Sequence, residues 1–396
     1  YENNDYGATV VGESNVEEFN ISGVLFLRPI LREYFGLFSR FKNINKYPTR
    51  WRYSDTKVYG EQIDRFRTFF ANDFRDLKGT NGPITSSEYF MNQIYSFQEK
   101  AFGRLRAFDR GALVDQNLGN LFTGLGDALD GIDYISEQTG NQHQWSLVNS
   151  GKALYWVDVY KKNIMRFAQD GVVSLSDTRR AHSFAKENAG PLYLMDNPSE
   201  GFGIRSVFDF DNNEVIFSFI REDELLKRKV NNIIYNEDLD VFVDVPVFEN
   251  RFSVSFHDYV YFFDANEVNL LWQHNVGDYG EYMQTVEDSI LQLVVNDIPS
   301  MAKVFDNIRM NINDAAVNSI KEIVMETQEQ SVTIDMTTDT RWKYLEQILR
   351  SPLRGFDQPD RMRGKWIKLT FVFDNLPNEK IIFTNLLTYF IPSNRM

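Results

Sequence analysis

The sequence predicts a mainly β protein: β-propeller-like repeated hairpins, with an α-helical N-terminal region before them and a C-terminal β-sandwich-like domain after them. Three observations carry that reading. Of the 396 residues 15% are aromatic, including 33 Phe and 19 Tyr, and such a composition favours pleated surfaces over leucine-packed bundles. The stretch HQWSLVNSGKALYWVDVYKKNIMRF, His143 to Phe167, breaks short apolar runs at Ser150-Gly151 and at Tyr160-Lys161-Lys162-Asn163, where strand direction must reverse. Within it Trp145 and Leu147, then Leu154 and Trp156, follow the period of two that a half-buried strand requires. Finally, Asp158, Asp211 and Asp264 recur at a constant interval of 53 residues, each closing an apolar run ahead of a polar turn, and the last two open the shared pattern Asp-x-Asn-Glu-Val. An interval near that of kelch-like blades predicts a repeated hairpin or blade, since a lone hairpin is marginal in water and blades bury their faces on their neighbours.

Taken in order, residues 1–28 read as an extended entry segment, with FNISGVLFL as a strand in it. Residues 29–139 read as a helical region with a glycine-rich bridge. PILREYFGLFSRFKNI and GEQIDRFRTFFANDFRDLKG space their apolar residues by three and four, and TSSEYFMNQIYSFQEKAFGRLRAF opens with Ser86-Ser87-Glu88, a cap signal. The arginines beside aromatics there, as in RWRY and RFRTFF, are expected to lie over a core or a subunit contact. The bridge contains Gly119, Gly124, Gly126 and Gly131 without the spacing of a dinucleotide or phosphate loop. Residues 140–287 hold the repeated hairpins, with REDELLKRKVNNIIYNEDL as a helical or charged-turn insertion and AKENAGPLYLMDNPSEG as a loop. Residues 288–396 read as the sandwich-like domain, whose strands SILQLVVND, KVFDNIRMNI, KEIVMETQE, SVTI, KWIKLTFVF and EKIIFTNLLTYFI are interrupted at WKYLEQILRSPLRGFDQPDRMRGK by a loop with at most one helix.

The formal charge of −14 argues against specific nucleic-acid binding, which needs a basic footprint. With no cysteine there is no disulfide framework and no thiolate nucleophile. His143, His182, His257 and His274 lack ligand spacing. Asp127, Asp130 and Asp133 recur every third residue, unlike a calcium loop. Neither metal nor cofactor is expected, and no catalytic residue is assigned. The three repeated aspartates are expected to cap turns by accepting from backbone amides, and Trp145, Trp156 and Trp272 to pack in cores. No membrane segment is expected, since no run approaches 18 apolar residues. The chain begins at Tyr1, which fits a cleavage product or a piece of a longer chain.

QHQWSLVNSGKALYWVDVYKKNIMRFAQDGVVSLSD, then LLWQHNVGDYGEY followed by KVFDNI, and finally RMRGKWIKLTFVFDN together resemble large virion structural proteins of crAss-like short-tailed phages. The resemblance covers roughly residues 140 to 396 and brings no catalytic residue with it. It implies a noncatalytic virion structural protein, part of a ring-like tail assembly around the DNA exit channel, of the muzzle or hub kind. Its partners would be identical copies in a cyclic ring and other phage tail proteins, with at most passive proximity to genomic DNA. The helices from about Pro29 to Phe108 are the expected contributors to the ring contact. The competing classes are a tail-associated glycan hydrolase, which needs two facing carboxylates about 5 to 10 Å apart, and a receptor or glycan-binding module built on exposed Trp and Tyr rows.

Overall fold

The computed structural model describes residues 46–54, 65–107, 111–115, 119–123, 129–190, 196, 202–222, 228–246, 248–256, 258–264, 270–282, 285–286, 288–339, 341–354, 361–374 and 379–393. Two compact units, Tyr1–Leu271 and Trp272–Met396, divide the chain. The architecture is mainly β, in antiparallel sheets with a few short helices.

The first unit opens with a two-stranded ribbon, β1 (Arg50–Arg52) and β2 (Phe74–Asp76), after which come sheets whose strands follow chain order. Sheet A holds β3 (Ile84–Phe90), β4 (Gln93–Gln98), β5 (Phe102–Ala107) and, after the hairpin β6 (Gly111–Asp115) and β7 (Gly119–Thr123), β8 (Leu129–Ser136). Sheet B is β9 (Val148–Asn149), β10 (Leu154–Asp158), β11 (Asn163–Ala168) and β12 (Gly171–Ser174), followed by helices α1 (Leu175–Thr178) and α2 (His182–Ala189). Sheet C is β13 (Gly203–Asp209), β14 (Glu214–Glu222), β15 (Arg228–Asn236) and β16 (Val241–Asp244). Sheet D has β17 (Asn250–Phe256) and β18 (Tyr259–Asp264), with β19 (Leu271–Gln273) where the first unit ends.

These sheets bury faces on one another in sequence. Phe90, Tyr95, Phe97 and Phe102 of sheet A share a core with Leu154, Trp156, Met165 and Phe167 of sheet B. Phe97 and Phe102 stack with centroids 4.9 Å apart, and the Trp156 ring meets both edge-on at 5.1 and 5.0 Å. The other face of sheet B, with Tyr155, Val157 and Ile164, packs with α1, α2 and the Ile204, Phe208, Val215, Phe217 and Phe219 face of sheet C. Every residue of β10 is therefore buried, which explains its unbroken apolar run. Sheets C and D meet through a more polar seam: Ser218 is paired with Arg205 and Asn232 across sheet C, and its Oγ accepts from Asn250 Nδ2 of β17 at 3.1 Å.

Several expectations in this unit are corrected. The predicted helix TSSEYFMNQIYSFQEKAFGRLRAF is β3, β4 and β5. Met91 and Asn92, both with positive φ, reverse the chain in two residues. The spacing read as helical also satisfies alternation, which puts Tyr95 and Phe97 on one face. The glycine-rich bridge supplies β6 and β7, and of GEQIDRFRTFFANDFRDLKG the described part forms a three-residue 3-10 turn, Arg65–Arg67, and β2. REDELLKRKVNNIIYNEDL contributes β15, nine residues in register with β14, because Val230, Ile233, Ile234 and Tyr235 suit a pleated buried surface. AKENAGPLYLMDNPSEG begins inside α2, and most of its remainder, like residues 1–28 and PILREYFGLFSRFKNI, lies outside the described residues.

After a short ribbon, β20 (Glu281–Tyr282) and β21 (Thr285–Val286), the second unit folds as two further sheets. Its strands are β22 (Ser289–Val295), β23 (Lys303–Ile312), β24 (Ile320–Glu326), β25 (Ser331–Asp335), β26 (Lys343–Leu345), β27 (Ile348–Pro352), β28 (Arg363–Gly364), β29 (Ile367–Phe373) and β30 (Phe383–Pro392), with α3 (Asp314–Ser319) after β23. Sheet E has the order β22-β29-β24-β25; in sheet F, β23 pairs with β27 and β28 on one side and with β30 on the other. Phe305, Ile308 and Met310 of β23 form one core with Ile323, Met325, Leu369 and Phe371 of sheet E. Here the strands lie where alternation predicts them. The expected loop at WKYLEQILRSPLRGFDQPDRMRGK is instead the hairpin β26–β27 plus β28, because Glu346 and Gln347 take positive φ in another two-residue turn.

Candidate functional site

The repeated aspartates were expected to cap equivalent turns, and the structure separates them. Asp158 ends β10, opposite Asn163 across a four-residue turn. It is buried, accepting from Lys161 N–H at 3.1 Å through Oδ1 and from Thr139 Oγ1 at 2.8 Å through Oδ2. Burial pushes its carboxyl above the ordinary range, against the lowering effect of those hydrogen bonds. In sheet C the equivalent residue is Asp209, opposite Glu214 across four residues, whose carboxylate accepts from Asp211 N–H at 3.0 Å and Asn212 Nδ2 at 2.9 Å. Asp211 itself sits in the turn, exposed, so the constant interval of 53 is a coincidence of register. Asp264 does end β18, and the next described strand starts at Leu271. Turn capping is the role of Asp158 and Asp209, as expected for the residue type, but the second capping residue is two positions earlier than the interval indicates.

The other candidates resolve into local scaffolding. His143 is buried, and its Nδ1 accepts from Ile204 N–H at 3.1 Å, which ties the 3-10 turn Gln144–Ser146 to β13. Gly203, at φ 113°, fits beside it; a Cβ there would come within 3.0 Å of His143 Nδ1 and Asp196 Oδ1. His182 Nδ1 lies 2.7 Å from Asp177, linking α2 to α1. His257 and Asp127 lie outside the described residues. Asp133 pairs with Arg104 at 2.8 Å, and Asp130 lies 3.7 Å from Arg106, so these two acids bridge β8 to β5. Among the described residues no group of three or more His, Asp or Glu is placed to hold a metal.

Sequence reasoning missed the pairings of tyrosine with acid, among them two at the β15–β16 turn. Tyr155 OH donates to Glu237 at 2.7 Å and Tyr235 OH to Asp240 at 2.6 Å, and Arg179 also bridges to Asp240. Burial first, then the neighbouring carboxylate, pushes both phenols well up, so they act as hydrogen-bond donors that pin the β15–β16 turn. A recess at the end of β23 is lined by Asn311, Ile312, Asn313, Glu346, Gln347, Ile348, Ile382 and Thr384. It offers one carboxylate, Glu346, where hydrolysis of a glycan needs two facing acids. Trp156 is core, whereas Trp145 is exposed with its ring edge-on to Phe252 at 5.4 Å, so the expected burial of Trp145 is not found.

The surfaces that remain unexplained by local structure are apolar. Sheet D exposes Val254, Phe256, Tyr259 and Phe263; the β16 region exposes Leu239, Val241, Val243 and Val245; in the second unit β22 exposes Ile290 and Val294, and β30 exposes Leu387, Tyr389 and Ile391. Such patches mark contacts with other molecules more often than chemistry.

Comparison with known proteins agrees with that character. The muzzle protein of Bacteroides phage crAss001 is 23% identical over 274 residues, which cover 68% of this chain and 19% of the relative. The chain thus spans about a fifth of the length of that relative. The pattern of the Crassvirus muzzle proteins is matched from residue 11 to 266. This match takes in the N-terminal third, which the sequence resemblance left out, and stops before the second unit. With about two thirds of its length so matched, the chain belongs to the Crassvirus muzzle protein family.

Proposed function

We propose that the chain is a noncatalytic structural protein of a short-tailed phage virion, part of a ring-like tail assembly around the DNA exit channel. The observation that carries this reading is the family membership across residues 11–266. Sheets A to C, each four-stranded and each buried on the next, support a propeller-like arrangement in which sheet D is the following blade. The partners are identical copies in the ring and other tail proteins. An acidic chain of formal charge −14 suits a wall past which DNA slides, since it repels the phosphate backbone where a basic lining would hold it.

Gold-labelled antibody against this chain is expected to bind intact particles at the tail; labelling of the capsid alone would refute the assignment. The purified chain is expected to leave host cell-wall glycans and peptides uncleaved. Reproducible cleavage, abolished by substitution of a single Asp or Glu, would replace the structural reading with the hydrolase.

A further inference from the structure

Sheets A and B meet through aromatic rings and sheets B and C through an apolar core; sheets C and D meet differently. The face of sheet C that carries Ile204, Phe217 and Ile233 packs with sheet B. The opposite face brings Arg205, Ser218 and Asn232 into one row, because Arg205 is the register partner of Ser218 and Ser218 that of Asn232. Residues directly opposite each other on neighbouring strands hold their Cβ atoms about 5 Å apart. Sheet D closes over this row. Asn250 Nδ2 donates to Ser218 Oγ at 3.1 Å, Asn232 Nδ2 donates to Phe248 O at 2.7 Å, and the Arg205 guanidinium lies 5.8 Å from the centroid of the Phe252 ring. Arg205 is 1% exposed, and Asn232 and Asn250 are fully buried.

These three side chains use only part of their hydrogen-bonding capacity. Arg205 donates through Nη1 to Ile204 O at 2.9 Å and through Nη2 to Phe202 O at 2.7 Å, with Asp196 3.4 Å from Nη1. Its Nε–H has no hydrogen-bond partner among the described residues, nor has Asn232 Oδ1 or Asn250 Oδ1. The Asn232 amide is oriented by its surroundings, since the groups facing Nδ2 are the carbonyls of Phe248 and, at 3.4 Å, Pro246, which only accept. One donor and two acceptors are thus buried in one seam. Leaving such groups dry is among the larger penalties an interior can carry, and buried polar atoms in folded proteins are nearly always paired with protein groups or ordered water.

We infer that this seam is a binding site for buried water, with Arg205 Nε, Asn232 Oδ1 and Asn250 Oδ1 as its protein ligands. The donor set selects the occupant. An anion would suit the guanidinium but be turned away by the two amide oxygens, and a cation would suit the oxygens but face the buried guanidinium. Water both donates and accepts, so it meets an N–H and two carbonyl oxygens at once, and internal waters with about three such partners are a regular part of folded proteins. Ser253 Oγ, buried on β17 without a partner among the described residues, adds a further polar group on the same strand as Asn250. The bridge joins Arg205 and Asn232 of sheet C to Asn250 of sheet D, in the place that aromatic rings fill between sheets A and B.

A crystal structure of the full chain at a resolution that shows ordered water tests this, together with unfolding of the double variant Ser218→Ala/Asn250→Leu. Density for at least one water is expected within about 3.2 Å of Asn250 Oδ1 and of Asn232 Oδ1 or Arg205 Nε. An ion in its place, recognised by contacts of about 2.4 Å to the oxygens, would overturn the assignment, as would side chains that pair all three atoms directly with protein groups. The double variant removes both partners of the Asn250–Ser218 bond together with the amide oxygen, and leucine keeps the branched shape of asparagine. In a dry seam that change relieves an orphaned oxygen and leaves the unfolding midpoint unchanged or raised. In a hydrated seam it evicts the water that serves Arg205 and Asn232, so the folding equilibrium constant is expected to fall by at least about tenfold. A midpoint equal to or above that of the wild type would overturn the proposal. The density is read on the unaltered chain and decides even if the variant fails to fold.

Discussion

In sheet B both faces are covered: Tyr155 and Val157 of β10 lie with sheet C, while Leu154 and Trp156 of the same strand lie with sheet A. In sheet E, among the described residues, one face is covered: along β22 Leu291, Leu293 and Val295 pack on the core, while Ile290 and Val294, which alternate with them, are exposed. Both regions are antiparallel and rich in β-branched and aromatic residues, yet the first consumes its apolar surface within the chain and the second leaves a flank over. Successive sheets can go on covering one another, whereas two facing sheets share one core and leave their outer faces to other contacts.

The sharpest way to break this comparison is at the ring cluster between sheets A and B. Trp156→Ala is expected to cost about 3–5 kcal/mol, the range for deleting a buried aromatic side chain, read by denaturant unfolding. Trp156→Phe should cost much less, because among the described residues the buried Nε1 has no hydrogen-bond partner to lose. If the alanine change were as mild as Ile290→Ala on the exposed side of β22, the two regions would not differ in the way described.

Asp209 and Asp211 sharpen the account of the repeated turns. Asp209→Ala removes a carboxylate that accepts from Asp211 N–H and Asn212 Nδ2 and is expected to cost about 1–2 kcal/mol. Asp211→Ala, at an exposed turn position, should stay within about 0.5 kcal/mol. Equal costs at the two positions would restore the 53-residue register.

The smallest expected effect is titratable. The Arg179 guanidinium, then Tyr235 OH, hold the Asp240 carboxylate below its ordinary value near 3.8. A depressed carboxylate contributes stability that is present above its unfolded value and is lost as pH falls through the folded one. Asp240→Asn keeps a residue tolerant of the positive φ at this turn. It should therefore destabilise at pH 7 by less than about 1 kcal/mol, the partial exposure of the pair limiting the gain, and the deficit should shrink below about pH 4. A deficit that grows in acid would contradict the assignment.

Much of the fold was legible because alternation survives in the sequence. KVFDNIRMNI is β23 residue for residue, and ALYWVDV contains β10. Where reading failed, two periodicities were both satisfied: in SSEYFMNQIYSF the aromatics fit a helical face as well as a strand face, and only the backbone of Met91-Asn92 decides. The Tyr155–Glu237 pair was invisible because its members are 82 residues apart. SILQLVV and FTNLLTYFIP were legible as strands, but their position as sheet borders follows from strand order, which alternation does not encode.

The central claim, a structural chain that closes a ring with its own copies, is tested most directly by an electron cryomicroscopy reconstruction of the intact tail. The account predicts identical copies around the tail axis, each touching the next over more than about 1,000 Å² of total buried surface, the size of a specific contact. A solitary copy, or copies that never touch, would contradict it.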